Sequence, residues 1–121
     1  MTNLQIIIGK TVEDKLYFRI LIEGGRILLT SREYVHTEKC MNDIYTIQQY
    51  HDFVITEDFV STYGYQYTLL TEEGRLIGTS QNYMTMHSMR SDVNIIRKHI
   101  AKAEVIDTSP LIRFFRPVRI K

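Results

Sequence analysis

Two stretches of the chain, GRILLTSREY at residues 25–34 and GRLIGTSQNY at residues 74–83, spell nearly one message at positions 49 apart. The register extends outward on both sides. Under the same shift Leu21 falls on Leu70, Glu23 on Glu72, Asp43 on Asp92 and Ile47 on Ile96. Matches that keep their order at one fixed spacing, without gaps, indicate a supersecondary unit written twice. Two units are too few for a solenoid.

Within each unit the hydrophobic period changes, and the change marks the local structure. In the first, Leu16, Phe18, Ile20 and Ile22 alternate along an extended segment ahead of Gly24-Gly25 and the β-prone RILLTS. That pattern predicts a hairpin closed by a two-residue turn, since paired glycines supply positive φ angles. In the second, Tyr65, Tyr67 and Leu69 take the matching face and the turn falls at Glu73-Gly74. Glu resists positive φ, so a slightly different turn is expected there. Beyond each hairpin the spacing lengthens to that of a helix stripe, with Cys40, Ile44 and Ile47 in the first unit and Met89, Val93, Ile96 and Ile100 in the second. Thr37 and Thr85 are the expected N-caps, and Arg97, Lys98 and Lys102 gather where the second helix dipole favours cations. Extended segments LQIII and DFVIT precede the hairpins, and AEVI follows the second helix. The sum is an α+β fold: β-β-β-α written twice with a closing strand, as one antiparallel sheet carrying both helices on one face.

The totals fit one domain. The chain has 121 residues, 44% apolar and 24% charged, enough to bury a core without a metal or disulfide. We place that domain at residues 1–109, with units at about 4–50 and 53–108, and an extension at residues 110–121. A formal charge of +1 argues against a whole-molecule field toward nucleic acid or anionic lipid. Cys40 is the single cysteine, which excludes an internal disulfide and suits a reducing compartment. The start, MTNLQIIIG, has no basic segment ahead of its short apolar run, and no stretch approaches the roughly 20 apolar residues of a membrane span. The cytoplasm is the expected location.

The run ILLTSREYVHTEKCMNDIYTI, its partner LIGTSQNYMTMHSMRSDVNII and the ending AKAEVIDTS, over residues 4–108, closely resemble the YegP-like family of small tandem-repeat proteins. The resemblance implies a β3-α-β unit used twice, joined in one sheet with exchanged final strands. DFVIT would end one unit and start the next, and AEVI would cross to the other unit. It carries over no activity and no cofactor. The chain departs from the pattern at Asp43 and Asp92, where the family usually has a helix Gly packed close to another backbone. Aspartates there would loosen that contact or turn toward solvent. The extension PLIRFFRPVRIK, residues 110–121, is a second departure.

The duplicated signature, Gly25, Thr30, Ser31 and Tyr34 with Gly74, Thr79, Ser80 and Tyr83, has a structural reading. Hydroxyls at a strand end can satisfy loop backbone groups, and a Tyr three residues on can cover the sheet with its ring while its OH stays wet. A symmetric pair of ligand contacts is the alternative. His36, His51, His87 and His99 show no metal-ligand spacing. Cys40 aligns with Met89 and reads as a buried hydrophobe, and the acidic pairs Glu57-Asp58 and Glu72-Glu73 read as solvated turns. Tyr63, Tyr65 and Tyr67 alternate as base-stacking rows do, but the first unit has Leu16 and Phe18 where the second has Tyr65 and Tyr67, which favours core packing.

In the extension Arg113, Arg116, Arg119 and Lys121 are interleaved with apolar residues including Phe114 and Phe115, a composition suited to docking on a sheet edge of this chain or a sister chain, or on a partner. The reading is a non-catalytic interaction or scaffold module of otherwise unknown function, with no cofactor, no metal and no evident small-molecule substrate. A protein partner or self-association is expected. A nucleic-acid-associated protein using the basic extension and the second helix is the alternative, and an enzyme ranks third, because no constellation meets the geometry of acid/base or nucleophilic work.

Overall fold

The computed structural model describes residues 3–50, 53–59 and 64–109. The extension with Arg113, Phe114, Phe115, Arg116, Arg119 and Lys121 lies outside the described residues, as do His51 and Tyr63. In chain order the elements are β1 (Leu4–Lys10), β2 (Leu16–Ile22), β3 (Arg26–Ser31), α1 (Thr37–Tyr45), β4 (Phe53–Phe59), β5 (Tyr65–Thr71), β6 (Leu76–Thr79), α2 (Met86–His99) and β7 (Glu104–Asp107). The strands form one sheet in the order β4-β5-β6-β3-β2-β1-β7.

Period-two alternation decides which side of the sheet is dry. Leu4, Ile6 and Ile8 on β1, Phe18 and Ile20 on β2, and Tyr67 and Leu69 on β5 are buried in one core. Cys40 and Ile44 of α1 and Met89, Val93 and Ile96 of α2 close that core, so the helix stripes read from the sequence are the buried ones.

The strand after α2 does cross to the first unit, where it pairs with β1, and the strand after α1 pairs with β5. One feature differs from the expectation of a wholly antiparallel sheet. β7 runs parallel to β1, with Ile7 beside Ile106, because the chain reverses direction at every successive strand, across both helices as at the hairpins, so that the first and seventh strands point the same way. The sheet is therefore mixed.

Both hairpin turns hold three residues rather than two: Ile22 pairs with Arg26, and Thr71 N–H donates to Arg75 O at 2.8 Å. In the second turn Gly74 takes the positive φ of 94°, which leaves Glu73 on the ordinary side; in the first both Gly24 and Gly25 are positive. The N-cap of α2 is Thr85, whose hydroxyl accepts from Ser88 N–H at 3.0 Å. Thr37, by contrast, is the first residue of α1, and the cap position belongs to His36, the counterpart of Thr85, without a side-chain bond. Glu57 and Asp58 lie on β4, not in a turn.

Each hairpin carries a β-bulge at the same place, between Ile20 and Leu21 and between Leu69 and Leu70. The extra residue breaks the alternation, so Leu28 and Leu29 are both buried, as are Ile77 and Gly78. The two units meet where Thr30 pairs with Thr79 and Ser31 with Gly78. Leu29 occupies the room that its counterpart Gly78 leaves free: a Cβ on Gly78 would stand 2.6 Å from Leu29 Cδ2 and 2.7 Å from Thr30 O. Gly78→Ala should accordingly destabilise the protein by about 1–3 kcal/mol, as overpacking does. An unchanged urea midpoint would contradict that packing.

Candidate functional site

The duplicated signature assembles at the two ends of the buried surface, and the same contacts recur in both units. Ser31 Oγ accepts from Phe18 N–H at 2.8 Å and donates to Arg32 O at 2.7 Å. Ser80 Oγ accepts from Tyr67 N–H at 3.0 Å and donates to Gln81 O at 2.7 Å. In each case the hydroxyl replaces a backbone partner where the strand ends. Thr30 and Thr79 face each other across the β3–β6 seam, on the side away from the helices, and are half-buried.

Tyr34 and Tyr83 turn inward, and here the structure corrects the sequence reading: their hydroxyls are not in water. Tyr34 OH donates to Asp43 Oδ2 at 2.6 Å and Tyr83 OH to Asp92 Oδ2 at 2.7 Å. Their rings stack on Phe18 and Tyr67 respectively. The two aspartates are not solvent-facing either, each being 4% exposed. A buried carboxylate needs a cation, and it comes from the other unit. Arg75, at the β5–β6 turn, binds Asp43 through Nη1 at 3.0 Å and Nη2 at 2.7 Å. Arg26, at the β2–β3 turn, binds Asp92 through Nη1 at 2.5 Å and Nη2 at 3.2 Å. Both are two-pronged pairs, the geometry for which guanidinium is shaped. Gly25 and Gly74 sit directly before these arginines and turn the chain that presents them.

The electrostatics follow the geometry. Burial pushes the Asp43 carboxyl up, but hydrogen bonds from Arg75 and Tyr34, with the charges of Arg75 and Arg32, outweigh it and hold the group below its usual value. Hydrogen bonding to the carboxylates raises Arg75 and Arg26 above the ordinary guanidinium value. Burial, then the Asp92 carboxylate, pushes the Tyr83 phenol up to about 12; Tyr34 is raised further by burial and Asp43. Tyr67 has Phe18 as its counterpart, and its buried hydroxyl donates to Leu28 O at the bulge of the other unit. A further tie comes from Gln48, whose Nε2 donates to Ile100 O at 3.0 Å and Ala103 O at 2.9 Å, capping the turn that ends α2. Gln48 reaches this position from a π-turn over Thr46–Tyr50 that prolongs α1.

Chemically these clusters are closed. Each Tyr hydroxyl and Asp carboxylate is matched to a protein partner, and the arrangement locks helix to hairpin. Cys40 is buried and burial raises its thiol to about 11, so it is not poised as a nucleophile. Among the described residues no group of three His, Cys, Asp or Glu stands close enough to hold a metal ion. No described helix is long and apolar enough to cross a membrane. An open groove of about 650 Å³ runs past Asn3, Glu23, His99, Lys102 and Glu104, with Asn3 Nδ2 donating to Glu23 Oε1 at 3.0 Å. Of the basic residues on α2, Arg90 is paired with Glu57 at 2.9 Å, while Arg97 and Lys98 are exposed in the last turn.

The crossed arginine–aspartate pairs escaped sequence reasoning, although both members stand in the 49-residue register. The signal was that Arg26 and Arg75 recur together with Asp43 and Asp92. A pH experiment checks the pair at Asp43. Its folded carboxyl titrates below the unfolded value of about 3.9, so its contribution is present above that value and is lost as pH falls through the folded one. Asp43→Asn should lower stability at pH 7 and flatten the decline in urea midpoint below about pH 4. An unaltered acid limb would contradict this.

No family model matches the chain, and no curated protein matches it. Among solved structures, the chain is similar to UPF0339 protein SO3888 from Shewanella oneidensis, with 18% identity and a TM-score of 0.80 over 89% of this chain and 93% of that one. It is similar also to YegP from E. coli, described as a protein of unknown function, with 18% identity and a TM-score of 0.77 over 90% of this chain and 96% of that one. At such identity the likeness is one of architecture: the chain has the YegP-like fold that its doubled motif led us to expect.

Proposed function

We propose that this protein is a non-catalytic interaction module of the cytoplasm, built from a duplicated unit and working through its surface. The observation that supports the reading is where the duplicated polar groups direct their hydrogen bonds. Ser31 and Ser80, Tyr34 and Tyr83, and Asp43 and Asp92 are all turned inward onto protein partners, so the repeated letters mark scaffolding and leave recognition to what lies outside it. The surface offers apolar groups for that purpose. Val35 and Met84, which follow the two signature tyrosines at equivalent positions, are 73% and 92% exposed, and Phe59 on β4 is 69% exposed. A pair of apolar side chains held in water by rigid flanking tyrosines is suited to protein contact.

The alternative, nucleic-acid association, draws on the exposed Arg97 and Lys98 of α2 and on the basic extension. Electrophoretic mobility of single- and double-stranded nucleic acid over a salt series separates the two readings. The interaction module predicts no shift at physiological salt. Binding that weakens steeply with salt, and further on Arg113, Arg116 and Arg119 substitution, would overturn it in favour of nucleic acid.

A further inference from the structure

The 49-residue shift that carries β2 onto β5 also carries β1 onto β4, yet the two outer strands are finished differently. β1 bears β7 on its outer side, in parallel register from Gln5 beside Glu104 to Ile8 beside Asp107. β4 ends the sheet, and no described strand lies beyond it. Its counterparts of those four β1 residues are Val54, Ile55, Thr56 and Glu57. Among the described residues this position is filled once and open once. A bare edge is a template for a further strand, and Val54 on it is 43% exposed.

The chain carries a segment of matching character. In an extended segment, residues 110–121 would place Ile112, Phe114, Val118 and Ile120 on one face, with Arg116 among them, and Leu111, Arg113, Phe115, Arg119 and Lys121 on the other, a mainly apolar face opposite a more basic one. Arg113, Arg116, Arg119 and Lys121 give the segment four positive charges and no negative one, whereas β4 carries Glu57 and Asp58 and no cation. Reach decides whose segment it is. Thr108 is anchored by its N–H and Oγ1 to Ile8 O at 2.9 and 2.7 Å, so the chain departs from the β7 edge. From there to the position outside β4 is seven strand spacings, about 34 Å. Twelve extended residues span at most about 43 Å. Crossing the sheet would leave about three residues, too few to repeat the four-residue register of β7 on β1.

We propose that the β4 edge accepts residues 110–121 of a second molecule of this chain as an added strand, occupying the position that β7 holds on β1. The exchange is reciprocal and closes a two-fold dimer. This inference rests on the interaction-module reading and names its partner.

The test uses the full chain and its Phe114→Asp/Val118→Asp variant, which alters no described residue. Sedimentation across a concentration series and amide exchange at residues 54–57 are measured for both. The expected result is a dimer with protected β4 amides, and for the variant a monomer with the same far-UV circular dichroism and at least tenfold faster exchange at those amides. A monomeric full chain overturns the inference, as does a dimer that survives the variant or leaves the β4 amides unprotected, which would mean pairing through another surface. A monomer that shows no salt-sensitive nucleic-acid binding sinks only the strand exchange and leaves the interaction module standing.

Discussion

The structure depends on two buried carboxylates that cannot be neutralised within their own unit. Asp43 and Asp92 each sit in a helix, under a signature tyrosine, and each draws its guanidinium from the hairpin of the other half. An unpaired carboxylate at such depth would cost several kcal/mol. The halves are therefore held in one arrangement, in which α1 is placed by the β5–β6 turn and α2 by the β2–β3 turn. Much else follows from that geometry, including the three-residue turns with Gly25 and Gly74 that aim the arginines and the inward course of Tyr34 and Tyr83.

This crossing has energetic consequences of unequal weight. The arginine side chains are about half exposed, 48% for Arg26 and 51% for Arg75, so solvent screens part of the attraction. What the pairs contribute above all is specificity: either unit alone would hold an aspartate without its cation. The apolar core supplies the bulk of the stability, and the crossed pairs, the Tyr67 hydroxyl on Leu28 O and the Gln48 cap on α2 select one assembly from the ways such a core could form.

Architecture was legible in the sequence because it is written in periodicity. Alternation at Leu16, Phe18 and Ile20, the helix stripe at Met89, Val93 and Ile96, and the constant register gave the elements and their order, while the exchange of strands was implied by the resemblance to the YegP-like family. The parallel sense of β7 and the cap at His36 were less legible, since the first depends on which distant strand β7 pairs with and the second on the residue at which α1 starts. The role of Asp43 and Asp92 was misread for a more basic reason. A single residue type says nothing of burial, and an Asp in an apolar stripe looks like an exposed interruption until its cation, 32 residues from Asp43 and 66 from Asp92, is brought alongside.

Whether the ion pairs cross between the halves is measurable by double-mutant cycles. Urea unfolding of Arg75→Ala, Asp43→Ala, Asp92→Ala and the two double variants containing Arg75→Ala yields two coupling energies. Crossed pairing should give about 1–2 kcal/mol between Arg75 and Asp43, modest because the guanidinium is half in solvent, and essentially none between Arg75 and Asp92. Coupling confined to Arg75 and Asp92, the pair within one unit, would contradict it.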